Sequence, residues 1–161
     1  MIATKKIKLT RKEFFLILIQ RHVKKQWWLF AGIWILAIIF LQNEVYAKFF
    51  IAFAIIIPII TVIEFWRHVV SKKNQFFLLE RYYEIDSEKI NTIIDRESYS
   101  PIKLEHFIKV DLIRNTFLLF VSKNMFAYIP MNSFKSDLDK QWFENEIIKK
   151  IKEKARRHNK V

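Results

Sequence analysis

The sequence predicts an α+β membrane protein in which a two-helix transmembrane hairpin precedes an antiparallel β-sheet domain closed by one C-terminal α-helix. Three observations carry that reading. Two charge-free apolar runs, 27–41 and 49–63, flank a short connector. β-type residues take over after Ser71, and an apolar repeat of helical period returns only after Ser136. The organisation that follows is a basic N-terminal segment, 1–26, a hairpin, 27–66, and a cytoplasmic domain, 71–157, expected to fold by itself.

Within the first segment, Thr10 and Glu13 have capping-box spacing, and the apolar stretch 14–19 sits between two groups of cations. A short amphipathic helix is predicted there. The pattern fits a helix lying in the membrane interface and equally one packed on the soluble domain.

At about 1.5 Å per residue each apolar run spans roughly 22 Å, short of a hydrocarbon core of roughly 30 Å. The flanks must therefore contribute. Residues 46–66 extend the second run, with Lys48 able to snorkel, and Trp27, Trp28, Tyr46 and Trp66 stand where amphipathic rings prefer the headgroup level. Pro58 falls in mid-span and frees the carbonyl of Ala54, which predicts a kink. Glu64 would be costly in hydrocarbon, so a candidate hairpin ion pair with Arg67 is expected near the boundary.

Orientation follows from charge. Lys5, Lys6, Lys8, Arg11, Lys12, Arg21, Lys24 and Lys25 precede the first run against the single acid Glu13, whereas the connector holds only Glu44 and Lys48. By the positive-inside rule both termini are cytoplasmic. No small-residue cleavage pattern follows Leu41 and a second run arrives at once, so the N-terminal run reads as an uncleaved anchor.

In the second half, 76–85, 90–95, 101–104, 111–121 and 126–131 read as strands, with a short helical turn at 105–109 and a hairpin turn at Lys123 and Asn124. Ser136 is placed to cap a helix whose first turn holds Asp137 and Asp139. Phe143, Ile147 and Ile151 recur on one face beside Ile148, and the last turns are basic.

Composition narrows the chemistry. The chain of 161 residues has no cysteine, which excludes disulfides and thiolate chemistry, and its one glycine, Gly32, lies in an apolar run. Phosphate-cradling loops need several glycines and are excluded with it. Glu64 and His68 are one turn apart, but His22, His106 and His158 are scattered, so no metal or cofactor is expected. No Gly-x-Ser-x-Gly elbow or paired carboxylates mark an enzyme. The net charge of +12 raises nucleic acid as a partner, yet the cations gather beside the apolar runs and in the last helix, and no aromatic sheet motif accompanies them.

The order of Leu9-Thr10 with Glu13, two spans, Tyr82-Tyr83-Glu84-Ile85-Asp86, and Ile129-Pro130-x-x-x-Phe134 ahead of an amphipathic helix resembles the YcxB-like proteins of bacteria. The resemblance covers nearly the whole chain through short motifs. It implies a two-span anchor in the bacterial cytoplasmic membrane, a C-terminal domain related to bacterial pleckstrin-homology-like (PH-like) folds, and no established enzymatic activity. Two positions depart from the pattern: Leu104 stands where an aromatic commonly precedes the central helical turn, and Met131 where a basic residue commonly follows Ile-Pro. No binding residue carries over.

The function expected is a non-enzymatic, membrane-anchored binding or scaffold module. Its candidate contacts for anionic lipid are Lys72, Lys73, Lys149, Lys150, Lys152 and Lys154, and its partners are the bilayer and a membrane protein or second copy of the chain. The alternative is an immunity protein against a membrane-active peptide, an analogy at the level of fold. An enzyme with an unrecognised site stands third.

Overall fold

The computed structural model describes residues 1–40, 42–94, 98–122 and 125–158. The chain forms two compact units. One is Met1–Leu9 together with Leu79–Val161, and the other is Thr10–Leu78, inserted between those two pieces. The first nine residues belong to the sheet unit, and the segment 71–78 belongs to the helical one.

In the helical unit, α1 (Arg11–Ile39) starts on the predicted capping box: Thr10 Oγ1 accepts from the Glu13 N–H at 3.2 Å, and Glu13 Oε2 accepts from the Thr10 N–H at 2.9 Å. The expected short amphipathic helix is not separate. It runs on into the first apolar stretch as one rod, because nothing between Gln20 and Trp27 breaks a helix. Asn43 caps α2 (Glu44–Val70), which continues through Pro58, where Thr61 Oγ1 donates to the Ile57 carbonyl at 2.8 Å. The two helices pack through small side chains, Ala37, Ala47 and Ala54 being buried, and through rings: His22 lies 5.1 Å from Phe65, and Phe40 lies 5.5 Å from both Tyr46 and Phe50.

After α2 the chain turns through a 3-10 helix, Lys72–Leu78, where the sequence suggested the start of a strand. Asn74 favours this turn: its side-chain amide donates to the His68 carbonyl at 2.7 Å, which also accepts from the Ser71 N–H at 3.3 Å at the end of α2. Phe77 then stacks on Phe14 at 5.2 Å instead of entering a sheet.

The sheet unit holds a four-stranded antiparallel sheet in the order β1 (Ile2–Ala3), β2 (Arg81–Ile85), β3 (Lys89–Ile94), β4 (Ser98–Lys103). A three-stranded one follows, β5 (Lys109–Ile113), β6 (Thr116–Phe120), β7 (Phe126–Pro130). Pro101 is tolerated because β4 is an edge strand. The single strand expected over 111–121 is instead a hairpin. Arg114 and Asn115 both take positive φ, 49° and 56°, the requirement of a tight turn whose twist matches its strands, and Asn is among the residues that accept it. The turn expected at Lys123 and Asn124 lies outside the described residues.

Every residue of β6 is buried, so this central strand is covered on both faces. Phe117 meets Phe143 of the C-terminal helix at 5.4 Å, and on the opposite face the Arg81 guanidinium of β2 sits 5.2 Å over the Tyr128 ring. That helix begins at the predicted cap, Ser136, as α3 (Asp137–Trp142), widens into a π-helical turn over Phe143–Ile148, and ends as α4 (Lys149–His158). Phe143, Ile147, Ile148 and Ile151 are all buried, as the period predicts, and truncating such an aromatic to Ala typically costs about 3–5 kcal/mol. The wide turn lets the adjacent Ile147 and Ile148 both face inward.

Candidate functional site

The apolar surface and the cations are the chemistry this chain displays. Among the described residues one stretch, Val45–Val70, is long and apolar enough to cross a membrane, with mean hydropathy 2.4 and only 6% of it buried. A helix so exposed is not the core of a soluble fold. Ile55, Ile59, Ile60 and Ile63 stand half or more exposed on α2, as do Trp34, Ile35, Ile38 and Ile39 on α1. A contiguous apolar face of this extent marks contact with lipid or with another protein. The helix α1 does not meet the same measure, since Arg21, His22, Lys24, Lys25 and Gln26 lie on the same rod and it ends at Ile39.

The six lysines proposed as lipid contacts differ in availability. Lys72 and Lys73 are exposed in the turn just past the α2 cap Ser71, and Lys149 and Lys152 are exposed on α4. Lys150 pairs with Glu146 at 3.5 Å, both about half exposed, an interaction weak enough to open. Lys154 is different. Its ammonium donates to the Glu105 carbonyl beside the second sheet, so it serves the fold. Arg156 and Arg157, which close the basic cluster that the sequence places at the end of this helix, are exposed on it, and Lys5, Lys6 and Lys8 are exposed on the segment that completes the sheet unit.

The expected Glu64–Arg67 ion pair is not closed. Both side chains are exposed, and among the described residues neither takes part in an ion pair. Holding two long exposed side chains together costs entropy that a solvated pair returns poorly. Among the described residues no group of three or more His, Asp or Glu side chains is placed to hold a metal ion.

The most unusual side chain is buried. Arg81 is 3% exposed, its Nε donates to the Leu79 carbonyl at 3.4 Å, and its guanidinium faces the Tyr128 ring. Tyr83, two residues along the same strand face, is fully buried. Burial raises its phenol well above the usual value, and the neighbouring Arg81 charge only partly opposes this. Among the described residues, the Tyr83 hydroxyl and the Asn91 side-chain oxygen are buried without a hydrogen-bond partner. Alternation along β2 was the available signal: Arg81 shares the inward register of Tyr83 and Ile85.

No family model, curated protein sequence or solved structure matches this chain.

Proposed function

We propose that the chain is a membrane-anchored, non-enzymatic binding module of the YcxB-like kind, its sheet unit a PH-like domain on the cytoplasmic face of a bacterial inner membrane. Two antiparallel sheets followed by a C-terminal helix accord with the domain that the resemblance implies. The anchor reading rests on α2 and its exposed apolar surface.

One observation carries the two-span form of the anchor: Met1–Leu9 and Leu79–Val161 belong to one folded unit. A folded unit lies in one aqueous compartment, because unpaired backbone does not cross hydrocarbon. The chain between Leu9 and Leu79 therefore crosses the membrane an even number of times. If α2 crosses, α1 must cross as well, its 29 residues giving a rod of roughly 43 Å that allows Lys24 and Lys25 to reach the interface. The basic flanks then put the sheet unit in the cytoplasm.

Because the protein has no cysteine, a single introduced thiol reports its side of the membrane without background. Gln42→Cys, in the connector, is expected to react with an impermeant maleimide on intact cells. Ser87→Cys, in the β2–β3 turn, is expected to react only after permeabilisation. Reaction of Ser87→Cys on intact cells, or equal reaction at both positions, would overturn the orientation.

A further inference from the structure

We propose that the domain touches the bilayer through one flank of its last helix, that of Lys149, Lys152 and Arg156, and that the ligand is the phosphate of anionic phospholipid headgroups. This rests on the anchor reading above. Two contacts fix the rotation of α4 about its axis: Ile151 is buried to 1% exposure, and the Lys154 ammonium is tied to the Glu105 carbonyl. What faces outward is thereby determined.

At about 100° per residue, positions i, i+3 and i+7 share one side of a helix. Lys149, Lys152 and Arg156 take those positions and all three are exposed; the nearest acid, Glu153, lies one turn from Lys149 and Arg156, at the border with the other flank. The opposite flank of the exposed face is mixed. It holds Lys150, Glu153 and Arg157, and Glu146 is paired with Lys150. One flank is therefore a line of cations, and the other neutralises itself in part.

Arg156 adds a planar fork of donors that matches phosphate oxygens, which a point-charge Lys does not offer. The anchor supplies the partner, because a tethered domain meets headgroups at a high effective concentration that soluble anions must match from solution. Each cation at an anionic surface is worth about fivefold in partition, so three together reach roughly a hundredfold before screening, which acts over about 8 Å at physiological salt.

The test uses the full chain in nanodiscs of phosphatidylcholine alone or mixed with phosphatidylglycerol. A donor dye on Asn145→Cys, an exposed position before α4, transfers energy to an acceptor on the headgroups. Transfer should rise with phosphatidylglycerol and fall back at about 1 M salt, where the screening length is about 3 Å. It should be lost in Lys149→Gln/Lys152→Gln/Arg156→Gln and kept in Lys150→Gln/Arg157→Gln. Lys152→Glu alone, a single surface change, should lose part of it with the melting of the sheet unit unchanged. Transfer blind to lipid charge, or equal effects of the two multiple variants, would overturn the inference. So would release by inorganic phosphate beyond that of sodium chloride at equal ionic strength, which would point to a soluble ligand. Failure of the chain to enter the discs would sink the anchor reading and this inference with it. Entry with composition-blind transfer would sink this inference alone.

Discussion

Thr4 and Tyr83 are joined by a reciprocal pair of hydrogen bonds: the Thr4 N–H donates to the Tyr83 carbonyl at 2.9 Å, and the Tyr83 N–H donates to Thr4 Oγ1 at 2.9 Å. The two residues lie on opposite sides of the inserted helices in sequence. Further along the same segment, the Lys5 N–H donates to the Ser133 carbonyl at 2.7 Å, and Ile7 and Arg81 exchange backbone bonds at 2.7 and 2.9 Å. The N-terminal segment is thus bonded both to the first sheet and to the turn that follows the second. Thr4 is buried, so its hydroxyl oxygen stands where water cannot replace it.

Removing Met1–Leu9 should therefore destabilise the sheet unit, which a fragment beginning at Ser71 lacks the residues to complete. Thr4→Val, which keeps the shape and strands the Tyr83 N–H, should cost about 1–3 kcal/mol, the penalty of an unpaired buried donor. Rejoining the first nine residues ahead of Leu79 through a short flexible linker should restore the thermal transition. A fragment from Ser71 that melts like the intact chain would show the strand to be dispensable.

Tyr83 gives an alkaline signature. Its phenol is held protonated by burial, and an unfolded tyrosine ionises near pH 10, so its contribution to stability is complete below that pH and declines as pH rises above it. Tyr83→Phe should melt near the wild-type temperature at neutral pH, since the buried hydroxyl it removes has no well-formed hydrogen bond among the described residues. It should also lose less stability than wild type between about pH 9 and about pH 11. Parallel alkaline decline in both proteins would show that Tyr83 does not titrate with unfolding.

Asp86 gives the acid counterpart. Partial burial raises its carboxyl, but the Glu88 and Lys89 N–H groups, each donating to Oδ1 at 2.8 Å, and the Lys89 charge hold it below the ordinary value. A depressed folded pKa stabilises above the unfolded pKa of roughly 3.9, and that stability is lost as pH falls through the folded value. Asp86→Ala should cost about 1 kcal/mol near neutral pH. The gap in melting temperature between wild type and Asp86→Ala should narrow at about pH 2–3. A gap of constant size down to that pH would remove the charge from the explanation.

Much of the local structure was legible because it depends on neighbours in sequence. The Thr10–Glu13 capping box, the Ser136 cap and the inward face of Phe143, Ile147 and Ile151 all follow from spacings within two turns of a helix. Where two local rules competed, the sequence was less decisive. Residues 76–80 have strand composition, yet Asn74 claims the His68 carbonyl and Phe77 claims Phe14. The run 111–121 looks like one strand, yet Arg114 and Asn115 turn it. The basic surface was half legible: charge is written in the sequence, but Lys154 and Lys152 differ only in which side of α4 they occupy.

The sequence by itself determined the apolar runs, the caps, the basic last helix and the alternation of the strands, since propensity, capping and periodicity act over a few residues. Only the tertiary structure decided that the chain's first residues complete a sheet whose remaining strands follow the inserted helices. The same level decided that Arg81 is buried over Tyr128 and that Lys154 is tied to Glu105. The physical reason is that such contacts join residues far apart along the chain. Their free energy comes from backbone pairing and burial that no local window contains, so the same Lys or Thr can be solvated tail or buried staple until the partner surface is in place.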